Sequence, residues 1–319
     1  MQVGSLTISP PLVNASCAWA SDLEQLHALF DCPYTGAVIT RTSTLGGFAE
    51  DESHTVAFAS SSLSSLNSYG YSPHKLSQYI IWIESILSAA STPAKPFIIS
   101  ITASDADTLC SAVAAIQGLR GKASRFAHIG IEFNTSCPNI RGSPPPGYTP
   151  HALVPLLRVL ADAWAADPSL TLGLKLPPYV HAAQFIEMLD TLRGLCLTDP
   201  AEGRARSPLA YIACTNTLGS ALLFGEQVSA ERTFAVPTSL GGLAGDALHP
   251  LALGNVHSFA QLLSTEGPES GLRGIVIVGV GGVTSAEAAA RMRRAGAAVV
   301  GSATLFGKEG IHAFKILSG

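Results

Sequence analysis

The chain has 319 residues, 47% of them hydrophobic and only 13% charged, with a formal net charge of −4. That length allows one large core or two modest ones, and a mean hydropathy of +0.32 requires most of the chain to be buried in layers. No apolar run reaches the ~20 residues of a membrane helix, and no basic cluster exceeds RMRR at 291–294, so neither a membrane nor a nucleic acid is an expected partner.

The first residues, MQVGSLTISPPLVNAS, carry neither the basic nor the apolar region of a secretory signal. Cysteines at 17, 32, 110, 137, 196 and 214 form no CxxC pair, so no metal site is expected. Their scatter reads as free thiols in a reducing, cytoplasmic compartment, most of them packed as small hydrophobes.

Along the chain, short apolar runs recur with helical stretches between them. PLVNA (11–15) comes first and contains Asn14 and Ala15, with Ser16 next. AVIT (37–40) runs into Arg41, Thr42 and Ser43. The Ser-rich stretch 58–70 reads as a long loop, and FIISIT (97–102) follows it. HIGIEF (128–133) leads into Asn134, Thr135, Ser136, Cys137, Pro138 and Asn139, which sets a thiol between carboxamides. The Pro-rich stretch 142–150 reads as a second loop. TLGLKL (171–176) carries Lys175 inside an apolar run, where a lysine needs a partner or a ligand. YIACTN (211–216) ends in Asn216, with Thr217 next; IVIVGV (275–280) leads to Gly281 and Gly282; AAVVGSA (297–303) contains Gly301 and Ser302.

These runs are continuous rather than alternating, the pattern of parallel strands covered on both faces. The last unit is the clearest: between its two strands, Thr284 and Glu287 have capping-box spacing, and Gly296 stands where a helix-ending glycine belongs. Eight such units predict a (β/α)8 TIM barrel. A doubly wound open sheet is the alternative, weakened because no GxGxxG follows an early strand. No repeat or linker divides the chain, so residues 1–319 are expected to form one domain.

Chemistry in such a barrel sits at the C-terminal ends of the strands. Here those ends carry Arg41, Lys175, Cys137 and several asparagines. The glycine-rich ends of the last two strands stand where barrels hold a phosphate on backbone N–H groups. Taken singly, an asparagine after a strand or a glycine pair also reads as an ordinary turn.

NTSCPN, GLKLPPY, ACTNTLGSAL, LGGLAGDALHPLALGNV and VGVGGVTSAEAAARMRRAGAAVVGSATL occur in the order found in dihydroorotate dehydrogenases, and the resemblance spans about residues 10–315. It implies an FMN-binding (β/α)8 barrel. Cys137 in place of a serine base, and no N-terminal extension, set the chain apart from the membrane-associated class. KLPPY and the stretch 139–148 look more like the soluble, homodimeric, fumarate-using class 1A than the class that needs an iron–sulfur partner subunit.

By this resemblance Cys137 is the general base that takes the C5 proton of dihydroorotate while hydride passes from C6 to the flavin. Asn134, Asn139 and Asn216, with Thr217 beside them, grip the ring. Asn67 and the backbone of Tyr69, Gly70 and Tyr71 hold the carboxylate end, near Arg41. Lys175 meets the flavin's pyrimidine edge. Ala15, Ser16, Arg41, Thr42, Gly241, Gly242, Gly281, Gly282, Gly301 and Ser302 match cofactor-binding positions. A thiol's reference pKa of ~8.5 leaves a few per cent thiolate at pH 7, so activity should climb with pH.

Three departures surround the substrate. Arg41 in TRTST replaces the family's lysine, the lid segment 46–58 is acidic where the family is basic, and NSYGYSPH replaces NSMGLPN. The chain also stops near where the family's last helical segment begins. These departures predict weak or slow use of dihydroorotate, and they leave a diverged flavin ene-reductase or dehydrogenase for another small unsaturated substrate as the alternative.

Overall fold

β-Branched and leucine-rich runs shed water only when both their faces are covered, and a barrel sheathed in helices does this. In the computed structural model, which describes all residues except 92–94, 141, 143, 199–202 and 268, each of the eight runs forms a strand. They are β1 (Leu12–Asn14), β2 (Val38–Ile39), β3 (Phe97–Ile101), β4 (Ile129–Asn134), β5 (Leu172–Leu176), β6 (Tyr211–Cys214), β7 (Val276–Val280) and β8 (Val299–Ser302). All neighbours pair in parallel, in the order β1-β8-β7-β6-β5-β4-β3-β2, and a parallel bridge between Val13 and Ala37 brings the two ends together. The fold is a (β/α)8 barrel, not an open sheet.

The helices follow the strands: α1 (Leu23–Asp31), α2 (Leu76–Ala89), α3 (Ala106–Arg120), α4 (Pro150–Ala166), α5 (Ala182–Arg193), α6 (His249–Ser264) and α7 (Ala286–Ala295), with α8 (Thr304–Glu309) and α9 (His312–Ser318) both after β8. Leu26, Ile83, Ile116, Leu157, Met188, Phe259 and Phe314 face the strands from seven of these helices and are fully buried. A second apolar cluster fills the barrel interior. It includes Val3, Leu6 and Ile8 from an N-terminal hairpin that closes the bottom, together with Ile39, Ile98, Tyr211 and Val278. Tyr211 fits inside because Gly173 on the adjacent strand lacks a side chain: a Cβ there would lie 1.9 Å from the phenol ring.

Two local expectations are corrected. The Ser-rich stretch 58–70 is not a loop throughout. Ser64–Asn67 is a strand in a four-stranded antiparallel sheet with Val56–Phe58, Leu240–Gly245 and Leu218–Leu222. The cap of α7 is Ser285, whose hydroxyl accepts from the Ala288 N–H, because Thr284 Oγ1 instead donates to Asp246 at 2.6 Å. Gly296 ends that helix at φ 122, as its position suggested. The Pro-rich stretch 142–150 includes position 143, outside the described residues; Pro146–Tyr148 form a short 3-10 turn leading into α4. Among the described residues no helix is long and apolar enough to cross a membrane.

Candidate active site

The C-terminal ends of the strands and the small antiparallel sheet enclose one deep cleft, about 980 Å³ including its mouth. It is lined by Ala15 and Ser16 after β1, Arg41 and Thr42 after β2, Asn134 at the end of β4, and Lys175 on β5. Thr215 and Asn216 after β6, Val280 at the end of β7 with Gly281 after it, and Gly301 and Ser302 on β8 complete that part of the wall. Asn67, Tyr69, Gly70, Tyr71, Cys137, Asn139, Thr217 and Gly282 also face it. Gly241 and Gly242 do not. Gly241 borders a separate shallow groove, Gly242 packs against Thr217 and Asn67, and the part of that strand facing the cleft is Ala244 and Gly245.

The carboxamides are held by one another. Asn134 Nδ2 donates to Thr42 Oγ1 at 2.9 Å, and its Oδ1 accepts from the Ser136 N–H at 3.0 Å. Asn216 Nδ2 donates to Ser136 Oγ at 3.0 Å. Asn139 Nδ2 donates to the Tyr69 carbonyl at 2.8 Å and to Asn67 Oδ1 at 3.0 Å, and Asn67 Nδ2 donates to the Gly242 carbonyl at 3.1 Å. Side chains locked this way present fixed donors and acceptors to a ligand and lose little freedom on binding.

Cys137 Sγ stands 4.0 Å from the Tyr69 carbonyl. Burial pushes its thiol up from the ordinary value, while the Asn139 N–H and the charges of Lys175 and Arg41 pull it partly back. The thiol is therefore protonated at neutral pH. Burial also carries the Tyr71 phenol up to about 12, so it stays a neutral hydrogen-bonding group in the cleft.

Lys175 is 5% exposed, and Nζ donates to the Ser16 carbonyl at 3.2 Å. Below it lies Glu132, 1% exposed, whose Oε2 accepts from the Tyr211 hydroxyl at 3.3 Å. Burial pushes the Glu132 carboxyl up against the opposing pull of Lys175. Two buried polar atoms here have no partner among the described residues: Glu132 Oε1 and Thr215 Oγ1, the latter belonging to a residue of the cleft wall.

The glycine-rich end is braced from behind. Gly281 and Gly282 have φ of 127° and 63°, which a side chain would strain. The Gly281 carbonyl meets His249 Nδ1 at 2.8 Å, while Arg291 Nε donates to His249 Nε2 at 3.2 Å. An arginine N–H can only donate, so Nε2 accepts and Nδ1 is the ring nitrogen that donates to Gly281.

Over the mouth, the lid is down. The Phe48 N–H donates to the Ser72 carbonyl at 2.9 Å, and the Phe48 ring covers Gly70, where a Cβ would lie 2.3 Å from it. Arg41, 6% exposed, sits with its guanidinium 5.2 Å from the centre of the Tyr69 ring and donates to the Gly70 carbonyl at 3.3 Å. Its two terminal nitrogens face the two oxygens of Glu50, in a close Nη2–Oε1 contact and one of 3.5 Å. Sequence reasoning also missed Trp19, on the cleft wall after β1 and packed on Phe58 and Phe306 with ring centroids 6.1 and 6.4 Å away. An aromatic five residues past a strand has no local signal that separates it from core.

A barrel whose strand ends converge on one cleft with a thiol, a buried lysine and a glycine-rich wall defines a (β/α)8-barrel enzyme. The chain belongs to the dihydroorotate dehydrogenase family of oxidoreductases, whose profile, described as "Dihydroorotate dehydrogenase", matches residues 2–318. It is similar to the putative dihydroorotate dehydrogenase A (fumarate) of Streptococcus equi subsp. equi, at 27% identity over 98% of this chain and 89% of the relative. Similarity to the probable dihydroorotate dehydrogenase A (fumarate) of Streptococcus pneumoniae serotype 4 is 26%, over 98% of this chain and 88% of the relative. The putative enzyme of that name from Streptococcus pyogenes serotype M18 is 25% identical over 98% and 89%. Low identity over nearly full length fits a divergent member of class 1A.

Proposed function

We propose that the chain oxidises (S)-dihydroorotate to orotate with FMN as its cofactor and fumarate as the electron acceptor. The observation that carries this reading is the Cys137 thiol among Asn134, Asn139 and Asn216, on the cleft shared with Lys175.

The cleft fits FMN. Its glycine-rich end, with Gly281, Gly282, Gly301 and Ser302, suits one terminal phosphate, Thr215 supplies an unpartnered hydroxyl, and Lys175 offers a buried positive charge. FMN, when bound, supplies the acceptor for the hydride leaving C6 of the substrate. Cys137, once ionised to its thiolate, takes the proton from C5. The three asparagines hold the planar ring edge-on, and Thr217 closes that side. Asn67, Arg41 and the backbone of Tyr69–Tyr71 receive the carboxylate. Lys175 keeps positive charge where negative charge develops. A cytoplasmic homodimer that needs no further subunit completes the reading.

A second reading, turnover of another small unsaturated ring or acid, has one observation in its favour: the Arg41 fork is already held by Glu50. Anaerobic mixing of the holoenzyme with dihydroorotate tests the first. Bleaching of the flavin followed by reoxidation with fumarate is expected. No bleaching at millimolar dihydroorotate would transfer the proposal to the second reading.

A further inference from the structure

Arg41 is the one cation on the cleft wall besides Lys175 among the described residues. Lys175 lies at the floor, in contact with the Ser16 carbonyl. Arg41 stands at the mouth, beside Tyr69 and Gly70. Any ligand that carries a carboxylate at the mouth would be recognised by the planar fork of Arg41, which matches a carboxylate in two bonds. In this chain that geometry is occupied from within. Both Glu50 oxygens face both terminal nitrogens of Arg41.

Glu50 does not itself line the cleft; it reaches Arg41 from the lid. Its side chain is 24% exposed and that of Arg41 only 7%, so the pair is shielded from solvent on the arginine side and open to exchange on the glutamate side. The segment that delivers Glu50 is anchored nearby by Phe48, through its N–H on Ser72 and its ring on Gly70. Glu50 thus faces the cation that a ligand's carboxylate would use. A ligand anion arriving at the mouth therefore meets an internal carboxylate competing for the same fork, and two carboxylates facing one guanidinium repel each other.

We propose that Glu50 is a specificity-determining residue, an internal carboxylate that latches the lid on Arg41 and lowers the affinity of the cleft for ligands bearing a carboxylate, leaving uncharged rings of the same shape unaffected. This rests on the reading of the cleft as a pyrimidine site, and the test separates the two.

The probes are orotate and uracil, which share the ring and differ by the carboxylate, each titrated into holoenzyme and followed by the flavin spectrum. Glu50→Gln keeps the size of the side chain and removes its charge. It should tighten orotate at least ~10-fold and leave uracil within twofold, so that the ratio of the two affinities changes. Glu50→Ala should behave alike. The lid is read without any ligand by the rate of chymotryptic cleavage after Phe48, which should rise several-fold in both variants. Unchanged cleavage together with an unchanged orotate-to-uracil ratio overturns the proposal. Equal tightening of both probes also overturns it, because the effect would then be lid opening without competition for charge. Faster cleavage with neither probe bound by any of the proteins would keep the latch and remove the pyrimidine reading instead.

Discussion

At the scale of single residues, the proposed chemistry turns on one thiol whose environment holds its proton. Burial raises Cys137, and the charges of Lys175 and Arg41 offset that only in part. Flavin reduction by substrate should therefore rise with pH through the neutral range without levelling below the ordinary thiol value. Cys137→Ala should stay yellow but slow reduction ~100-fold or more, the usual size of a general-base contribution. Cys137→Ser should fall between, with its rise displaced to higher pH. A wild-type rate in the alanine variant would leave the thiol only a structural role. Cys137, Lys175 and the asparagines were legible because each lies within a few residues of a strand end, where sequence position alone sets which end of the barrel it faces. The grip of Glu50 on Arg41 was not legible. The acidic loop showed a conflict of charge, but which carboxylate folds back nine residues to meet the guanidinium depends on the path of the lid around Phe48 and Gly70.

A second residue-scale prediction concerns stability. Asp167, just past α4, accepts from Arg120 on α3 at 3.1 Å, and Arg120 also donates to the Ala127 and Ile129 carbonyls. Burial works against the ionised carboxylate, but hydrogen bonds from Ser169, Gln117 and Arg120 outweigh it and hold Asp167 at about 2, below its ordinary 3.8. A lowered folded-state pKa means this stabilisation is present above about pH 4 and is lost as pH falls toward 2. Asp167→Asn should cost roughly 2 kcal/mol at pH 7, less than a fully buried pair because the aspartate is a third exposed. It should also flatten the fall in stability between pH 4 and 2. Urea titrations of both proteins across that range check this, and parallel pH profiles would reject it.

At the scale of elements, the strands and helices of the barrel could be read because their apolar runs are long and continuous. The four-stranded sheet over the cleft could not. Its strands are short, one of them is Ser-Ser-Leu-Asn, and its partners in the chain lie far apart: Asn67 pairs with Gly242. No local pattern encodes that pairing. The same distance hid the brace behind the glycine-rich end, where His249 of α6 meets the Gly281 carbonyl after β7 and Arg291 of α7 in turn donates to His249. His249 does not line the cleft, so its effect on the cofactor must pass through Gly281. His249→Leu removes both hydrogen bonds, and losing about 1 kcal/mol of loop positioning should weaken FMN roughly fivefold. His249→Asn, which can still donate to Gly281, should recover part of it. Reconstitution of apoprotein with FMN, followed by flavin fluorescence, measures both. Unchanged FMN affinity in the leucine variant, beside a lowered melting temperature, would make the histidine a packing residue only.

At the scale of the whole molecule, the cleft joins elements that are distant in the chain. Seven of the eight strand ends contribute to its wall, together with the strands of the overlying sheet. In a barrel, the layers of the interior hold the strands together near the bottom. In this chain Val3, Leu6, Ile8 and Tyr211 do so. The top holds polar side chains and glycines around an open volume, so it gains least from apolar burial and most from a ligand. A ligand that binds only the folded chain adds RT ln(1 + [L]/Kd), about 2.7 kcal/mol at a hundred times Kd. Removing FMN should then lower the melting temperature by roughly 5 °C for a domain of this size. Adding FMN should restore it in proportion to the logarithm of its concentration. FAD should not, because the glycine-rich end suits one terminal phosphate. Equal melting temperatures for apoprotein with and without saturating FMN would show that the cofactor does not bind the folded barrel, and restoration by FAD alone would show that the cleft has been assigned the wrong flavin.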